Sequence, residues 1–84
     1  MSLVTERIED NVLYLELNGR IDSSNADQAE ELIKAIKEAH PDLQSVLDAE
    51  NLEYLSSAGL RVILRMRKET ADLKIINVSS EVYE

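Results

Sequence analysis

The stretch Asn51-Leu52-Glu53-Tyr54-Leu55-Ser56-Ser57-Ala58-Gly59-Leu60-Arg61 organises the rest of the chain. An apolar segment, Val46 to Ala49, runs into it, and an amphipathic helical pattern leaves it at Leu60. Two hydroxyls and a glycine therefore sit where a strand hands over to a helix. A serine at such a junction is either a helix cap or a group on which chemistry is done.

Downstream, the spacing predicts a helix from about Ala58 to Thr70, with Leu60, Ile63, Leu64 and the stem of Arg67 buried and Arg61, Arg65 and Lys68 outside. Asp72 marks a turn, and Leu73 to Asn77 reads as a strand. Val78 to Glu84 begins with capping chemistry and continues with helix formers. Upstream, Ser45 to Ala49 reads as a short buried strand. Before it, Ala26 to His40 reads as a helix burying Ala26, Ala29, Leu32, Ile33, Ile36 and the stem of Lys37, and Pro41 enforces its stop. Asn18 to Asn25 reads as a loop rich in capping residues. Val4 to Ile8 and Val12 to Leu17 are strands, and the Glu9-Asp10-Asn11 link is short enough to force antiparallel pairing.

The order β-β-α-β-α-β predicts an α/β sheet with an N-terminal antiparallel hairpin, parallel central strands and helices packed on the sheet. In such sheets functional groups gather at the carboxyl ends of parallel strands. The Asp22–Asn25 loop and the Ser56–Gly59 turn should therefore be neighbours.

Composition narrows the function classes. Eighty-four residues make one small domain, and with no Phe or Trp its core leans on Leu, Ile and Val. Seventeen acids against nine bases give a net charge of −8, and the bases are interleaved with acids. Such a surface repels phosphate backbones, so nucleic-acid binding is not expected. Cysteine is absent and histidine occurs once, which leaves no transition-metal constellation. No apolar run approaches the roughly 18 residues that span a bilayer, so no direct membrane insertion is expected.

The chemistry then reduces to a few residues. Ser57 resembles a nucleophile elbow in position, but that motif's glycine spacing is missing. The only histidine, His40, lies at the far end of its helix, where a helix C-terminus favours a cation. No catalytic residue is expected, and no cofactor: Gly19 and Gly59 stand alone, too far apart for a phosphate cradle. Asp22, Ser23, Ser24 and Asn25 lack the spacing of a calcium loop, and helix capping accounts for them better. For Ser57, capping and covalent modification both remain. Either serine could cap; a cap at Ser56 would place Ser57 in the first helical turn. Phosphate there would meet unpaired N–H groups and the positive end of the helix dipole, so the domain would tolerate it while a partner's surface would not.

The segment Tyr54 to Leu64 resembles the signature of STAS domains, particularly bacterial anti-sigma factor antagonists. Val46-Leu47-Asp48 is similar to the family's strand ending in Asp, Leu17 to Asp22 to the segment before its first helix, and Leu73 to Ser79 to its next strand and helix start. The resemblance implies a cytoplasmic, non-enzymatic domain that binds an anti-sigma factor, often itself a serine kinase, and so frees a sigma factor for transcription. It implies that the kinase phosphorylates Ser57 and abolishes binding, and that a PP2C-type phosphatase restores it. Leu55, Ser56, Ala58, Gly59 and Arg61 would flank the acceptor at the contact surface, with Asp22, Ser23, Ser24 and Asn25 bordering it.

Ser56 stands where many family members carry Asp, which keeps both serines in view as acceptors. The single domain, residues 1–84, also stops where the family continues through a C-terminal helix region: as a whole protein it would expose apolar sheet surface, and a dimer or a marginal fold is expected, whereas for a fragment nothing follows. A rival expectation is an accessory subunit of a membrane transport system, in which Ser57 is only a cap.

Overall fold

The computed structural model describes residues 2–79. Eight elements follow in order: β1 (Val4–Glu9), β2 (Val12–Leu17), β3 (Gly19–Ile21), α1 (Ala26–Ala39), β4 (Gln44–Asp48), β5 (Leu52–Leu55), α2 (Ser57–Glu69) and β6 (Lys74–Ile76). The expected final helix falls mostly outside the described residues.

The hairpin turn needs left-handed backbone at both central residues, and Asp10 and Asn11 adopt φ of 50° and 64°. Short polar side chains tolerate that region, so β1 and β2 pair antiparallel from Glu9↔Val12 to Val4↔Leu17. The main sheet has the order β1-β2-β4-β6, with β4 parallel to both β2 and β6. The α/β class, hairpin and parallel centre are thus as the sequence suggests.

Alternation on β2 sorts the two faces. Leu13, Leu15 and Leu17 are buried and point toward the helices, together with Leu47 and Val4 of the neighbouring strands. The opposite face carries Arg7, Tyr14, Glu16 and Asp48. Arg7 lies 4.2 Å from the Tyr14 ring centre and within salt-bridge distance of Glu9 (2.8 Å), Glu16 (3.3 Å) and Asp48 (3.3 Å).

The two helices run parallel, because their contacts advance together along both chains. Glu30 of α1 holds Arg65 of α2 through two bonds of 2.8 and 3.0 Å, and Lys37 farther along α1 donates to Thr70 just past α2. Both helix N-termini therefore lie at one end of the sheet. His40 closes α1 at the other end, its Nε2 2.9 Å from Glu6.

Arg65 holds the Glu30 carboxyl below the usual carboxylate range, chiefly by hydrogen bonding, against the upward push of burial. A carboxyl depressed in the folded state contributes stability above the ordinary Glu pKa and loses it as pH falls through the lower folded value. In urea melts, Glu30→Gln should therefore be less stable than the parent at neutral pH, and the gap should narrow below about pH 4.

Two expectations need correction. Gly19–Ile21 and Leu52–Leu55, read as loop, are short strands that pair parallel with each other. They continue β2 and β4 beyond a bend, which is why neither shows a run of its own. The buried stripe of α2 is Gly59, Val62, Ile63 and Met66, not one built on Leu60, Leu64 and the stem of Arg67. Leu64 is 54% exposed and Leu60 half-buried. The helix is rotated because glycine, rather than a leucine, is what fits against the ribbon beneath it.

Candidate functional site

Gly19 makes the bend between β2 and β3, with φ of 73°, and its N–H donates to Asn51 O at 3.0 Å. Between β4 and β5, the chain bends through a turn closed by Leu52 N–H to Ala49 O at 3.1 Å. The turn is held by buried Asp48, whose carboxylate accepts from Glu50 N–H and from the Asn77 amide, both at 3.0 Å. The resulting β3–β5 ribbon ends where Ser56 N–H donates to Ile21 O at 2.9 Å. That bond brings the two expected loops together.

Ser56 is the N-cap of α2. Its backbone is extended (φ −78°, ψ 172°), its Oγ accepts the Gly59 N–H at 3.2 Å, and its carbonyl accepts the Leu60 N–H at 2.9 Å. Ser57 is consequently the first residue inside the helix. It is exposed, and among the described residues its hydroxyl makes no hydrogen bond. The two serines have different jobs: one closes the helix, and the other is free. Ser56→Ala should cost about 1 kcal/mol of unfolding free energy, and Ser57→Ala only a few tenths, in chemical denaturation.

Gly59 sets how closely the helix approaches the ribbon. A Cβ built there would lie 2.6 Å from Leu55 Cδ1, 3.0 Å from Ile21 Cγ2 and 3.3 Å from Ile21 O. Leu55 and Ala58 are half-buried in this packing, whereas Arg61, one turn beyond Ser57, is exposed.

The Asp22–Asn25 loop is built differently from the expected cap. Asn25 occupies the N-cap position of α1, yet its side chain bonds no helix N–H. Its carboxamide instead accepts from Asp22 N–H and donates to Arg20 O, each at 2.9 Å. Those bonds imitate a neighbouring strand and close the outer edge of β3. Asp22 accepts from the Ser24 hydroxyl and the Ser24 N–H, and these bonds hold its carboxyl below the usual range. Ser23 and Ser24 are exposed.

Two residues of this surface escaped the sequence reading. Arg20 of β3 stacks over Tyr54 of β5, 4.4 Å from the ring centre, on paired positions of the ribbon. A three-residue strand is too short to show the alternation that would have put Arg20 and Tyr54 side by side.

Chemically, the site offers a free hydroxyl on a helix N-terminus, an exposed arginine and a rigid polar loop. The sole histidine, 2.9 Å from Glu6, lies beyond the opposite ends of the helices. No helix among the described residues is long and apolar enough to cross a membrane.

Residues 4–84 match the STAS domain model. The chain is a STAS domain. It is 40% identical over 70 residues to BtrV of Bordetella bronchiseptica, provisionally named an anti-sigma factor antagonist; the match covers 82% of this chain and 58% of BtrV. It is also similar to the crystal structure of an anti-sigma factor antagonist from Mycobacterium paratuberculosis, with a TM-score of 0.68 and 25% identity over 79% of this chain and 56% of that one. A structure described as Mglu shares the fold alone, at a TM-score of 0.69 and 15% identity over 95% of this STAS domain and 21% of that chain. The STAS domain thus spans somewhat more than half the length of the two antagonists.

Proposed function

We propose that this STAS domain is a non-enzymatic anti-sigma factor antagonist whose binding is switched by phosphorylation of Ser57. One observation carries the reading: Ser56 takes the capping role, which leaves Ser57 exposed and unbonded in the first turn. The similarity to two antagonists supports the partner class, an anti-sigma factor; that this factor is itself a serine kinase is part of the proposal. In the cytoplasm the unmodified domain binds that factor through the α2 N-terminus, the Asp22–Asn25 loop and Arg61. Phosphate on Ser57 adds nearly two negative charges at the centre of this surface, and a PP2C-type phosphatase removes them.

The placement of the hydroxyl favours such a switch. A phosphate at this position faces helix N–H groups and the positive end of the dipole, so the domain keeps its fold while the interface is lost. Incubation of the domain with ATP and extract of its own cells, followed by intact-mass and fragment-mapping spectrometry, tests the reading. One phosphate on Ser57 is expected. No phosphate, with the kinase active on a control substrate, returns Ser57 to a structural role; phosphate on Ser56 would require the cap to open and overturns the assignment of the acceptor.

A further inference from the structure

Residues 57, 61 and 65 of α2 share one stripe, because helical side chains four apart stand over one another with Cβ atoms roughly 5–6 Å apart. Arg65 is already engaged, held by both oxygens of Glu30. Arg61 is exposed and forms no ion pair among the described residues, in a chain where acids outnumber bases seventeen to nine. Ser57 stands one turn before it, equally exposed. Among the described residues, a cation without a counter-charge thus sits one turn below a hydroxyl without a partner.

We propose that Arg61 is the internal counter-ion of phosphorylated Ser57. The inference rests on the reading of Ser57 above and adds a second half to the switch. A phosphoserine brings three acceptor oxygens, and the planar guanidinium fork takes two of them at once. The anion lies N-terminal to the cation at i,i+4, the orientation a helix favours. Modification then does two things to the contact surface: it adds negative charge at Ser57 and withdraws the positive charge of Arg61 from any partner carboxylate. A carboxylate substituted at position 57 carries one charge on a shorter arm, so it reproduces the first effect better than the second. The other charged groups around this stripe are Asp27 and Glu30 on α1, Lys34 beside Glu30, Glu69 farther along α2, and Arg65 itself.

The test uses the whole chain with phosphoserine installed at position 57 during translation, so that no kinase is needed. Phosphorus NMR then follows the second ionisation of the phosphate from about pH 4 to 8. Relative to the parent, Arg61→Gln should raise that ionisation by about 0.5 unit, and Arg61→Lys should fall between. Arg67→Gln, which removes an exposed cation from off the stripe, should leave it in place. The Arg61 side-chain N–H resonance should move as the phosphate titrates. Coincident titrations in the parent and Arg61→Gln, or an equal shift in Arg67→Gln, would overturn the proposal. Because the phosphate is installed rather than transferred, that failure leaves the kinase reading untouched. Failure of enzymatic phosphorylation likewise leaves this measurement valid.

Discussion

Ser57→Asp is expected to weaken binding of the domain to the proposed anti-sigma factor partner by roughly ten- to hundredfold, and Ser57→Ala to leave affinity within about 1 kcal/mol of the parent. The difference follows from where the side chain sits. Ser57 is exposed on the first turn of α2, and the cap it might have supplied is made by Ser56. Alanine therefore removes an unbonded hydroxyl and little else. Aspartate would place a charge in the middle of the proposed contact surface, where an unmatched carboxylate must be desolvated against the partner. The helix itself welcomes the acid, since a negative charge in the first turn complements the dipole. Affinity should thus fall while thermal stability holds or rises slightly. Calorimetric titration against the anti-sigma factor, paired with thermal melts, separates the two effects. Equal binding by parent and Ser57→Asp would remove charge exclusion as the mechanism.

Asp48→Ala is expected to destabilise the fold by about 2–4 kcal/mol, among the largest effects of any single polar substitution in this chain. Asp48 is 5% exposed, and its carboxylate joins three parts of the fold. It accepts from Glu50 N–H in the β4–β5 turn, from Asn77 beyond β6, and from Arg7 of β1 at 3.3 Å. Its loss removes the acceptor of a backbone donor and of an amide that share part-buried bonds to it. Arg7 is affected less, because it keeps Glu9 and Glu16 and reaches solvent. The turn also sets the angle of the β3–β5 ribbon on which α2 rests, so partner binding should weaken along with stability. Urea denaturation should show a lower midpoint with an unchanged slope, the sign of a native-state loss rather than a changed unfolded chain. A midpoint shift under about 0.5 kcal/mol would show that the three bonds are replaceable by water.

Much of the fold was legible in the residues. The hairpin followed from Asp10 and Asn11 between two alternating runs, and both residues adopt the left-handed backbone that their side chains tolerate. Helix α1 was readable because Ala26, Ala29 and Ile33 recur at spacings of three and four, and Pro41 ends the pattern. The parallel centre followed from strands alternating with helices. The neighbourhood of the Asp22 loop and the serine turn followed from topology alone, and the Ser56–Ile21 bond joins them.

The rotation of α2 was not legible. Leucines at positions 60 and 64 outweigh Val62 and Met66 on any hydrophobic count, yet Gly59, Val62, Ile63 and Met66 are the buried residues. The helix turns that way because only a residue without a Cβ fits over Leu55 and Ile21, a contact between segments far apart in the chain. The two short strands were hidden for a similar reason. Gly19–Ile21 and Leu52–Leu55 are strands because they face each other, and neither is long enough to show a period of its own. The division of labour between Ser56 and Ser57 was open in one dimension, since either hydroxyl could cap α2. What the sequence determined by itself was the order, type and burial pattern of most elements, because propensity and periodicity act over neighbours along the chain. What the tertiary structure decided was which serine is free, which face of α2 is buried and which side chains meet Arg65 and Asp48, because those depend on contacts between segments that only folding brings together.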